Sequence, residues 1–95
     1  MKVTLKAYSN LRRVIGQMHS VVEMIDNSTL EDLLTLLSER YGEEFERENK
    51  RTLKDSFRRD FNVYLKGKQV HPSDYSRTKL QDQDEVAIVP PVGGG

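Results

Sequence analysis

The sequence contains no cysteine. That excludes a disulfide framework, a thiolate-held metal or iron–sulfur cluster, and a cysteine nucleophile. It also lacks any apolar run near the ~20 residues needed to span a bilayer. Met1-Lys2-Val3-Thr4 passes directly into strand-like alternation, so no signal peptide is expected. Net charge is missing too: 15 basic residues cancel 15 acidic ones. With no basic field, nucleic acid is not an expected partner, and no membrane association is expected either. A cytoplasmic address is the default that follows. Internal glycine is scarce, and Gly16, Gly42 and Gly67 stand too far apart to build a phosphate loop. His19 and His71 have no neighbours at metal-ligand spacing, so no metal site is expected. Ser73-Asp74 near His71 shares only residue types with a catalytic triad. Tyr8, Tyr41, Tyr64 and Tyr75 are scattered without a basic stripe between them, which leaves a base-stacking platform unsupported. The body of the chain offers no catalytic machinery.

What is present is enough for one small domain. Ninety-five residues with 36% apolar and 32% charged side chains can close a single modest core under a mixed-charge surface. The stretch that organises the rest is the last eleven residues, Glu85-Val86-Ala87-Ile88-Val89-Pro90-Pro91-Val92-Gly93-Gly94-Gly95. Val86–Val89 reads as a short buried strand. Pro90 and Pro91 stop further sheet pairing because proline has no N–H to donate. Three glycines follow, a narrow segment able to thread a tight channel and present the carboxylate of Gly95. Glycine-rich ends also occur as plain termini without a role. Here the glycines follow a strong strand and a Pro-Pro stop with no linker between them.

Upstream, Met1, Val3, Leu5 and Ala7 alternate with polar residues as a half-buried strand. Ser9 or Asn10 can cap a short helix carrying Leu11, Val14 and Ile15, with Gly16 to end it. Residues 20–25 read as a second strand whose inner face the sequence leaves open, and Asp26-Asn27 turns the chain. Ser28-Thr29-Leu30-Glu31 has the form of a capping box. Leu30, Leu33, Leu34, Leu37 and Tyr41 follow at helical spacing, and Gly42 is placed to close that helix. Residues 43–60 are charge-dense, with Phe45, Leu53 and Phe57 as the only large apolar side chains. They suggest a shallowly packed second helix or a structured, solvated insertion, in which Lys50-Arg51 or Arg58-Arg59 could dock a partner. Phe61, Val63 and Leu65 form a third strand. Lys66-Gly67 makes a hairpin turn and Lys68-Gln69-Val70 a fourth strand. A loop then runs through Tyr75 and Lys79. Leu80 packs inward, and Gln81-Asp82-Gln83-Asp84 turns into the final strand.

This order predicts an α+β fold, a β-grasp (ubiquitin-like) mixed sheet with one main helix and a helical insertion. The domain is expected to cover residues 1–90, with the insertion at about 43–60 and residues 91–95 as an extended glycine tail.

Leu80-Gln81-Asp82-Gln83-Asp84-Glu85-Val86, the apolar run, Pro90-Pro91-Val92 and Gly94-Gly95 resemble the C-terminal signature of the ubiquitin-like sulfur carriers. Those most resembled are MoaD-like small subunits of molybdopterin synthase and the archaeal small modifiers. The likeness extends over nearly the whole chain. Family members usually have glycine where Gln83 stands, Asn-Gly where this chain has Lys66-Gly67, and serine or alanine at Gly93. The turn at Gln83 must therefore tolerate glutamine or take another shape.

The resemblance implies that an E1-like adenylating enzyme joins Gly95 to AMP using MgATP, with no cofactor bound to this chain. Sulfur from a persulfide then replaces AMP to leave a thiocarboxylate. In a molybdopterin synthase the tail would enter the large subunit and give its sulfur to a pterin precursor. The chain would then be a non-catalytic small subunit or sulfur-donor co-substrate. Gly95 and Gly94 are the expected reactive positions. Pro90, Pro91, Val92, Gly93 and Tyr64 are the expected partner-binding ones. The alternative is a protein modifier conjugated through Gly95 to lysines of target proteins. A third reading, a non-covalent binding module, predicts that removing Gly94 and Gly95 leaves function intact. A thiamine-pathway carrier fits less well, because the insertion makes this chain long for that group.

Overall fold

A computed structural model describes residues 1–90. Strand β1 (Lys2–Ala7) buries Val3, Leu5 and Ala7 at its alternate positions. Helix α1 (Ser9–Ile15) follows, and Gly16 at φ 96 ends it by turning left-handed, as glycine can. The N-cap position belongs to Tyr8 and makes no side-chain bond, so neither Ser9 nor Asn10 caps this helix. Asn10 instead donates to Asn49 Oδ1 at 3.0 Å and ties α1 to the end of the long helix.

Strand β2 (His19–Glu23) pairs antiparallel with β1. Val22 lies opposite Val3 and is buried, while Val21 lies opposite Thr4 and points outward, which settles the register. Helix α2 spans Leu30–Asn49 and differs from expectation at both ends. Its cap is Thr29, one residue later than Ser28: Thr29 Oγ1 accepts from Asp32 N–H at 3.2 Å, and Asp32 Oδ2 accepts from Thr29 N–H at 2.8 Å. Ser28 is instead buried, its hydroxyl donating to Ile25 O at 2.7 Å and its carbonyl accepting from Leu80 N–H.

Gly42 does not end α2, which runs on to Lys50 at φ 62. A glycine inside a helix costs about 1 kcal/mol relative to alanine. Full burial of Phe45, one turn later, contributes about 2–3 kcal/mol and outweighs it. The Phe45 ring meets Phe61 edge-on, centroids 6.0 Å apart. Helix α3 (Leu53–Arg59) is capped by Thr52, whose hydroxyl accepts from Asp55 N–H at 3.1 Å. Leu53 and Phe57 are buried with Phe45. The helical segment is therefore not shallowly packed: α3 and the last turns of α2 close one end of the core.

Strands β3 (Asn62–Leu65) and β4 (Lys68–Val70) form the expected hairpin, with both Lys66 (φ 51) and Gly67 (φ 83) left-handed. The following stretch is a 3₁₀ helix, Pro72–Arg77, rather than a loop. Buried Tyr75 holds it to α3 by donating its hydroxyl to Phe57 O at 2.7 Å, and burial raises the phenol pKa. Strand β5 (Glu85–Val89) completes a five-stranded sheet in the order β2-β1-β5-β3-β4, parallel to β1 and antiparallel to β3. A last strand returned to the middle of a mixed sheet beneath one long helix is the expected β-grasp.

Candidate functional site

The site is built outward from β5. Val86 and Ile88 are fully buried, so Glu85, Ala87 and Val89 line the opposite, outer face of the sheet. The turn that delivers the strand is fixed by its own side chains. Asp84 is buried, its Oδ2 accepts from Gln81 N–H at 2.8 Å, and its Oδ1 lies 3.5 Å from Lys66 Nζ. Gln83 sits at φ 73, so the turn keeps the shape that favours glycine and imposes it on a glutamine. That strain is of order 1–2 kcal/mol. Two backbone bonds flank it, Gln83 N–H to Lys2 O at 2.7 Å and Thr4 N–H to Asp84 O at 2.8 Å. At about 1 kcal/mol each they offset it. Asp82 Oδ1 accepts from Lys2 N–H at 2.7 Å, and this bond holds its carboxyl below the usual range.

On the outer face, the strand registers place His19, Lys6, Ala87, Tyr64 and Gln69 in one row across the sheet. Tyr64 is half-buried there, three residues short of the level at which β5 ends if counted along its partner strand from Ala87 to Pro90. Lys6 Nζ is 3.2 Å from Glu85, so the centre of the face carries a neutralised pair beside an aromatic ring. Pro90 follows β5 directly and is exposed. Of the residues expected to act, Tyr64 and Pro90 thus share one end of the central strands. Pro91, Val92, Gly93, Gly94 and Gly95 lie outside the described residues. Lys6 and His19 were not among the expected contacts. The strand alternation of β1 could have indicated Lys6, but His19 needed the register of β2.

The other candidates have local roles. His71 caps the 3₁₀ helix: Ser73 N–H donates to its Nδ1 at 3.2 Å, and the Ser73 hydroxyl lies 2.9 Å from the same atom. Asp74 pairs with Arg77 instead of completing any relay. Arg51 pairs with Asp60 and holds that carboxyl below its usual range by hydrogen bonding, and Arg58 reaches Glu31 at 2.9 Å. Both basic pairs proposed for docking therefore have one arginine already engaged within the helical layer. Among the described residues, no three His, Asp or Glu side chains gather closely enough to hold a metal ion.

Comparison with known proteins agrees with this geometry. Small archaeal modifier protein 3 of Haloferax volcanii is 30% identical over 96 residues, covering 100% of both chains. The crystal structure of SAMP1 from Haloferax volcanii superposes with a TM-score of 0.73 at 21% identity, covering 100% of both chains. The complex of subunits 1 and 2 of the molybdopterin-converting factor from Helicobacter pylori contains a chain that matches with a TM-score of 0.63 at 20% identity, again over 100% of both. The profile of the ThiS family matches residues 6–95. With the signature of residues 80–90 seated on the central strand of a β-grasp sheet, the chain belongs to the ThiS family of ubiquitin-like sulfur carriers and small modifiers.

Proposed function

We propose that this chain is a sulfur carrier that becomes a thiocarboxylate at Gly95 and supplies molybdopterin synthesis as the small subunit of molybdopterin synthase. The observation that carries this reading is the placement of β5. The central strand ends at Val89 and runs straight into Pro90, six residues from Gly95. Six extended residues reach about 20 Å. That length takes a carboxylate into a partner's active site while the Tyr64–Ala87–Lys6 face rests on the partner's surface.

A carboxylate is a poor acyl donor, so activation comes first. The Gly95 carboxylate attacks the α-phosphate of MgATP on an E1-like enzyme, forming the acyl adenylate and releasing pyrophosphate. A persulfide sulfur then displaces AMP, and thiol cleavage of the new S–S bond leaves the thiocarboxylate. Because ATP drives the first step, we place the carrier in the cytoplasm. Gly94 and Gly95 let backbone approach the reacting phosphate closely, and Pro90-Pro91 limits the entropy lost on insertion. The Helicobacter subunit pair, whose small chain shares the fold, supports a synthase large subunit as the second partner.

The same activated carboxylate serves a second reading, a modifier joined through Gly95 to target lysines. The identity with small archaeal modifier protein 3 over the full length favours it. Replacing Gly94 with leucine tests what the two readings share. With an adenylating enzyme and MgATP, pyrophosphate release from G94L is expected to fall about 100-fold or more, since a small misplacement of a reacting group costs that much. The thermal unfolding midpoint should not move. Equal release from both proteins would overturn the role of the tail.

A further inference from the structure

The two edges of the sheet are built differently. β4 is three residues long, begins with Lys68 and meets Pro72 two residues past its end. Short length, lysine and proline all blunt an edge against further pairing. β2, at the opposite edge, has five residues, His19-Ser20-Val21-Val22-Glu23, with no lysine, proline or glycine among them.

Which backbone groups of β2 are free follows from its ladder with β1. Met24 N–H donates to Met1 O at 2.9 Å, the terminal ammonium of Met1 donates to Met24 O at 2.8 Å, and Ala7 N–H donates to Met18 O at 2.8 Å. Bonded and non-bonded residue pairs alternate along an antiparallel ladder. Ser20 and Val22 therefore bond to β1, while the N–H and C=O groups of His19, Val21 and Glu23 face away from the sheet. The side chains of these three residues stand on the outer face, with Val21 63% exposed.

We infer that β2 is a self-pairing edge: a second copy of this chain docks antiparallel on it, about a two-fold axis at Val21, to make a continuous ten-stranded sheet. In that register Val21 meets Val21 of the second copy, and each His19 meets the other copy's Glu23. All three pairs are of the bonded kind, so the outward N–H and C=O groups satisfy one another completely. The side chains agree with the backbone, placing an imidazole against a carboxylate at both ends and two exposed valines between them. Ile25, 82% exposed, comes opposite the second copy's Gln17. A one-residue slip would set outward amides against groups already bonded to β1, and a two-residue slip would break both His19–Glu23 pairs. The sequence therefore specifies one register.

Sedimentation equilibrium of the full chain, taken up to about 1 mM, tests this. The apparent mass is expected to rise from 11.0 kDa toward twice that value. V21K should remain a monomer throughout, because lysine at an exposed edge position disfavours pairing. V21P should do the same, since the proline removes only an outward N–H. In the wild type, amide exchange at His19, Val21 and Glu23 should slow roughly tenfold between dilute and concentrated samples, while Ser20 and Val22 stay protected in both. A wild type that stays at 11.0 kDa, or a dimer that persists unchanged in V21P, would overturn the inference.

Discussion

The last strand and the segment from Glu43 to Asp60 fill the same core by different routes. β5 is short and regular, sending Val86 and Ile88 inward at a two-residue period between two neighbouring strands. The helical segment is mostly charged and sends in only Phe45, Leu53 and Phe57, separated by eight and four residues. All five side chains are nevertheless 2% exposed or less. A few large side chains held on helices achieve what a continuous apolar run achieves on a strand. The strand also has a consequence the helices lack, since its end aims the chain toward Gly95.

The comparison can be broken most directly at Phe45. Phe45→Ala should destabilise the domain by about 3–5 kcal/mol in denaturant unfolding, because the cavity opens beneath both Phe61 and the far end of α2. A loss below about 1 kcal/mol would return the segment to the status of a solvated appendage. Adenylation by the partner enzyme should persist in F45A at temperatures where the fold survives, which separates the helical end of the core from the tail.

A smaller effect, of opposite sign, sharpens the same point at Gly42. A Cβ built there meets nothing within 4 Å, and the residue lies inside α2 rather than at its end. Gly42→Ala should therefore stabilise the protein by about 0.5–1 kcal/mol. Were Gly42 the left-handed terminus its position in the sequence suggests, alanine would destabilise instead.

These sites also show why part of the fold is legible in sequence and part is not. β1, the Lys66-Gly67 hairpin, the polar turn and β5 announce themselves through alternation and turn residues, which are local signals. The cap of α2 slips from Ser28 to Thr29 because both are good caps, and the choice depends on Ser28 being drawn into contact with Ile25 and Leu80. The end of α2 depends on Phe45 finding Phe61, sixteen positions away. The 3₁₀ helix depends on Tyr75 reaching Phe57 O. The inner face of β2 depends on pairing with β1, since Val21 and Val22 are chemically alike and only register distinguishes them. Every miss is a tertiary contact deciding between local options of nearly equal energy. At the functional end, Tyr64 and Pro90 were readable from strand periodicity and the proline stop, whereas the row joining Tyr64 to Lys6 and His19 required the sheet order.

The central claim is that β5 exists to present Gly95 as an activated acyl group, and the intact mass of the protein from its own host tests it most directly. Fragmentation of the C-terminal peptide should locate one sulfur in place of one oxygen at Gly95, or a Gly95–lysine isopeptide on other proteins if the modifier reading holds. Free carboxylate alone, even after incubation with the adenylating enzyme, MgATP and a persulfide donor, would contradict the account.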